Sequence, residues 1–146
     1  MSKPMDFLLE EIVVNKYGEV ALRAILFIIN GEVTHPLSAW KKAASISFGE
    51  GTWGQRKSCP KNAFIGLCEK GLVHGVSYGN YSVRSGSNKN KNYAIDAIEV
   101  LKCKPELSKD KLGLWREVMN GEHMSHDSQM DVVLALWNNH MIDRSK

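Results

Sequence analysis

Cys59 is the residue whose type and position most invite chemistry. It stands in Ser58-Cys59-Pro60 at the start of a predicted helix. Aligned peptide dipoles there favour a thiolate over a thiol. Arg56, Lys57 and Lys61 lie within three residues and act in the same direction. A nucleophile also needs a base and a donor site for an oxyanion. The base would have to come from His35, His74, His123, His126 or His140, none of which adjoins it in sequence. The plainer reading is a small residue packed at a helix start. A thiol-dependent enzyme using Cys59 is therefore carried as an alternative, and no catalytic residue is assigned.

His123-Met124-Ser125-His126 holds two imidazoles three positions apart, with Asp127 and Asp131 following. Histidine and carboxylate are sound metal ligands. The spacing matches no zinc pattern, and no third ligand is fixed by it. The segment reads as the polar start of a helix, so no metal and no cofactor are expected. The glycines at 49, 51, 75 and 79 fit neither the dinucleotide nor the P-loop fingerprint and read as turns. Ser85-Gly86-Ser87 lacks the context of a nucleophile elbow.

The charge distribution is more informative. The net charge is +3. Between Gly51 and Ile95 the positive residues are Arg56, Lys57, Lys61, Lys70, Arg84, Lys89 and Lys91, and the one acid is Glu69. A basic middle sits inside an acidic frame. Such a segment is either a solvated face or a surface for an anionic partner. Arg56, Lys57, Lys61, Arg84, Lys89 and Lys91 are the candidate binding residues.

The order of features suggests how nucleic acid could be held. A helix from Pro60 to Lys70 is followed by Gly-Leu-Val and a stretch of β-formers ending near Val83. That order resembles the recognition helix and wing of a winged helix. The basic residues would contact phosphates, and Asn62, Asn88 and Asn90 bases or backbone. Tyr78 and Tyr81 would stack on bases of a single strand. Against this, about ten residues separate the preceding helix from this one. A helix-turn-helix uses three or four. The isoelectric point of 8.7 is also below the rough threshold of 9 for nucleic-acid domains. A third reading is a protein-interaction module or homodimer built through Trp53. This tryptophan lies in a glycine-rich loop and off any helical stripe, where an aromatic can anchor a partner or fold back as a lid on the core.

These residues need a scaffold, and the periodicity specifies a helical one. Met5, Leu8, Leu9 and Ile12 have helical spacing. From Tyr17 to Asn30 apolar residues nearly encircle the axis, which predicts a central buried helix. Leu37, Trp40, Ala44 and Phe48 form the stripe of a helix opened by Thr34-His35-Pro36. Phe64, Leu67 and Cys68 share a face of the next, which Gly71 ends. Residues 72–83 predict at most a small hairpin. Further helices are expected over Tyr93–Lys102, after a Ser108 cap with Leu112, Trp115 and Met119 inward, and over Ser128–His140. The fold class is therefore all-α, a compact bundle of six or seven short helices in one domain over residues 1–146.

Composition agrees with a globular domain: 146 residues, 43% hydrophobic and 24% charged. Such a length buries a substantial core. No apolar run reaches the length of a membrane span. Asp6, Glu10 and Glu11 interrupt any secretory signal. Cys59, Cys68 and Cys103 are odd in number and irregularly spaced, which predicts reduced thiols in a cytoplasm.

Four segments resemble a bacterial family of small proteins known only as a domain of unknown function. They are Cys59-Pro60-Lys61-Asn62-Ala63-Phe64-Ile65-Gly66-Leu67-Cys68-Glu69-Lys70-Gly71-Leu72-Val73, Gly79-Asn80-Tyr81, Asn90-Lys91-Asn92-Tyr93-Ala94, and Ser128-Gln129-Met130-Asp131-Val132-Val133-Leu134-Ala135-Leu136-Trp137. Tyr17-Gly18 with Ala21 and Arg23 fits too. The resemblance runs from about Tyr17 to Ile142. It implies a compact helical bacterial protein and transfers no activity and no catalytic residue. The expectation is a non-catalytic binding or accessory protein that uses the basic segment between residues 56 and 91.

Overall fold

Asn15 opens the first helix by accepting a hydrogen bond from the Tyr17 N–H at 2.7 Å, which satisfies one of the unpaired amides of a helix start. The computed structural model describes residues 15–81, 89–122 and 127–146. The expected helix over Met5 to Ile12 lies outside them. Helix α1 (Lys16–Ile29) is buried at Gly18, Val20, Ala21, Leu22, Ala24 and Ile25. Its last turn emerges, and Ile29 is half exposed. Helix α2 (Pro36–Phe48) begins with Pro36 in the first turn, and His35 Nδ1 accepts from the Leu37 N–H. Trp40 and Ala44 are buried along its stripe.

A four-residue turn, α3 (Trp53–Arg56), leads into α4 (Ser58–Glu69). Gly71, at φ +70°, takes the left-handed conformation that ends α4. Helix α5 (Lys89–Cys103) follows, then a 3-10 turn over Pro105–Lys109, α6 (Lys111–Met119) and α7 (Ser128–Asn138). The all-α expectation holds: no strand pairing beyond one isolated bridge occurs among the described residues.

Helix α7 has the widest set of neighbours, touching α1, α4, α5 and α6. The sequence placed α1 at the centre. That helix is buried along most of its length and packs mainly on α2 and α7. Trp40, Phe64, Ile25, Leu67, Leu101, Leu114 and Met130 fill the core between these helices.

Three local features differ in detail from their sequence signals. No local hairpin pairs among the described residues 72–81, within the expectation of at most a small one. Val73 instead bridges Ile142, with the His74 N–H on the Met141 carbonyl at 2.8 Å and the Asp143 N–H on the Leu72 carbonyl at 2.7 Å. The β-formers find their partner at the far end of the chain. Lys146 Nζ continues this strap onto the Gly71 carbonyl, and the Arg144 guanidinium lies 3.9 Å over the Trp137 ring. Second, Asp110 caps α6 in place of Ser108, accepting from the Gly113 N–H at 2.9 Å. The shifted start turns Leu112 outward and buries Leu114. Third, α5 begins four residues before the expected Tyr93.

Candidate functional site

The loop between α2 and α4 looks flexible by its glycines, yet it is tied together. Thr52 Oγ1 donates to the Gly49 carbonyl at 2.8 Å and accepts from the Gln55 N–H. Gln55 Oε1 accepts from the Gly51 N–H at 2.8 Å. Gly54 sits against the Phe48 ring, so closely that a Cβ at that position would strike it. Phe48 packs on Tyr17, with ring centroids 5.0 Å apart. Lys57 Nζ lies 5.3 Å from the centre of the Tyr17 ring. Rings from α1 and α2 thus seat α3 and the start of α4.

At this junction lies a cavity of about 300 Å³ lined by Trp53, Arg56, Lys57, Ser58 and Cys59. Trp53 is 79% exposed, so it forms the rim and does not fold back as a lid. Arg56 is exposed and Lys57 and Cys59 are half-buried. No side chain caps the N-terminus of α4. The first-turn amides of Ser58 and Cys59 therefore add to the positive potential.

The nearby acids are already engaged. Lys111 reaches Asp131 at 2.8 Å and Asp127 at 3.4 Å. Burial raises the Asp131 carboxyl above its ordinary range, against the pull of Lys111 and Lys57 and with a push from Asp127. Burial also raises the Tyr17 hydroxyl, with smaller pushes from Asp131 and Cys59. No ion pair to Arg56 or Lys57 forms among the described residues.

The basic segment therefore divides. Arg56 and Lys57 meet on the cavity wall beside Cys59. Lys61 is half-buried in the first turn of α4, and Lys89 is exposed at the start of α5. Arg84, Asn88 and the His123–His126 pair lie outside the described residues. Lys91 stands apart from these. It is buried and pairs with Glu69 at 2.8 Å. Sequence reading counted it as a free cation because its partner is distant in the chain.

Helix α4, the recognition helix of the winged-helix reading, is largely covered. Pro60 and every residue from Ala63 to Cys68 are buried, leaving Ser58 exposed and Cys59, Lys61, Asn62 and Glu69 half-buried. Tyr78 is exposed, but it lies beside Gly71 at the far end of α4 from Trp53. Tyr81 is held by His35, edge to face at 5.4 Å, and by a short hydrogen bond from its hydroxyl to the Ser77 carbonyl. The described residues lining the cavity include no histidine to serve Cys59 as a base. Among the described residues there is no group of three metal-ligating side chains, and no helix is long and apolar enough to cross a membrane.

Sequence reasoning missed Tyr17 and Lys111 as neighbours of this corner. Asp131 was legible only as a ligand candidate. All come from helix starts, and the positions of caps in the sequence were the available signal. A family model described as a family of unknown function, DUF6979, matches residues 14–143. No curated protein and no solved structure matches the chain.

Proposed function

The chain belongs to DUF6979, a family of unknown function, and we propose from its own residues that it is a binding protein for an anionic group. The receiving site is the cavity between α3 and α4. One observation carries the reading: Arg56 and Lys57 line a cavity of about 300 Å³ while Asp127 and Asp131 are held by Lys111. An anion there meets two cations, the uncapped amides of α4 and the Ser58 hydroxyl, which is the donor chemistry of an anion site. A solvated face needs no concavity and no shared wall. The reading is one of binding, and no chemical step is assigned to Cys59. Three free cysteines suit a reducing bacterial cytoplasm, and that compartment is part of the proposal.

The test is a titration with pyrophosphate followed by amide NMR. Shifts should concentrate at Arg56, Ser58, Cys59 and the Trp53 indole and weaken with added salt. Charge reversal at both Arg56 and Lys57 should remove them. Equal binding by that double variant and the wild type would sink the proposal.

A further inference from the structure

We infer that the anion this cavity takes is the phosphate of a nucleotide, with the base stacked on Trp53. The inference rests on the anion-binding reading and adds the ligand class. Trp53 and Arg56 are three residues apart in α3, a spacing that puts two side chains on one face. Both line the same cavity. An aromatic face and a guanidinium are thus presented side by side, with Lys57 and the start of α4 following.

The exposed indole needs its own account. Trp40, Trp115 and Trp137 are buried, whereas Trp53 is 79% exposed. Its backbone is fixed by the Thr52 and Gln55 hydrogen bonds and by the seat of Gly54 on Phe48. The ring is therefore offered from a constrained turn, which lowers the ordering cost of binding. A planar base stacks on such a ring with little regard to its identity. The cavity volume of about 300 Å³ lies at the small end of ligand pockets, which suits one nucleotide better than a folded partner. A ligand with both a ring and a phosphate satisfies the two chemistries of the wall; inorganic phosphate satisfies one.

Such a nucleotide can be free or one unit of a single strand, and the experiment separates the two. Binding to the full chain would be measured by titration calorimetry with adenosine monophosphate, ribose 5-phosphate, pyrophosphate and a short oligouridylate. The expected result is binding of the nucleotide about tenfold tighter than ribose 5-phosphate, the gain from one stacked base. Trp53→Ala should remove that gain, and Trp53→Phe should keep part of it. Comparable affinity per site for the monophosphate and the oligomer identifies the free nucleotide, and a clearly tighter oligomer identifies the strand. If ribose 5-phosphate and pyrophosphate bind as tightly as the nucleotide, the nucleotide assignment is overturned while anion binding stands. If none of the four binds, both fall.

Discussion

Lys91 of α5 reaches Glu69 of α4 at 2.8 Å, and both side chains are largely removed from solvent. The same glutamate receives the Tyr81 N–H at 2.9 Å through its other oxygen, and its backbone carbonyl receives the Gly79 N–H. One carboxylate thus joins two helices and the loop after α4. Removing one charge leaves the other buried, which typically costs about 3–5 kcal/mol. Lys91→Met should therefore lower stability to urea by a large part of that amount. Combining it with Glu69→Gln, which keeps an acceptor for Tyr81, should recover part of the loss. A double variant no more stable than Lys91→Met would refute this account of the pair.

Gly66 is where α4 and α5 come closest. A Cβ there would lie 2.6 Å from Lys91 Cβ and 2.8 Å from Lys91 Cα. In an open helix alanine is better than glycine by about 1 kcal/mol. Here the neighbour is backbone and cannot yield cheaply, and overpacking costs about 1–3 kcal/mol. Gly66→Ala should accordingly lower the thermal midpoint. An unchanged or raised midpoint would mean that the helices can separate at no cost.

The chain's acid response should carry a signature of Asp131. Burial lifts its carboxyl above the ordinary value of 3.8, so the folded state holds a proton that the unfolded chain has released. Its contribution is most favourable in acid, declines as pH rises through 3.8 towards the raised value, and is then flat. Urea midpoints of wild type and Asp131→Asn compared from about pH 3 to about pH 7 should show the wild type losing ground as pH rises. The opposite trend would place the carboxyl in a stabilising, ionised role.

The three thiols should separate under alkylation of the native protein. Burial pushes the Cys68 thiol far up, with a smaller push from Glu69, and the residue has no exposed surface. Cys103 is exposed and Cys59 half-buried. Mass spectrometry after brief iodoacetamide treatment should find label on Cys103 and Cys59, with Cys68 labelled only after denaturant is added. Early label on Cys68 would show that α4 opens readily.

The all-α class and most helix positions were legible because apolar spacing and caps act within a few residues. Pro36 and Gly71 mark ends that local chemistry determines. What failed depended on distant partners. Val73 has the propensity for a local hairpin but pairs with Ile142. Lys91 resembles the other lysines of its segment until Glu69 is seen beside it. Leu112 and Leu114 exchange roles because Asp110, not Ser108, sets the phase of α6. At the candidate site, Arg56, Lys57 and Cys59 were legible as neighbours in sequence. The rings of Tyr17 and Phe48 that seat them come from other helices.

The strap between Val73 and Ile142 has a consequence for how the protein is made. Val73 leaves the ribosome long before its partner exists. At roughly 5–20 residues per second, Val73 waits several seconds for the segment that will cover it. Ile142 is itself nearly inaccessible in the finished fold. Closure of this seam therefore waits for residue 142 and cannot proceed in step with the synthesis of α4. The nascent chain must carry an unsealed apolar seam until residue 142 has emerged from the exit tunnel.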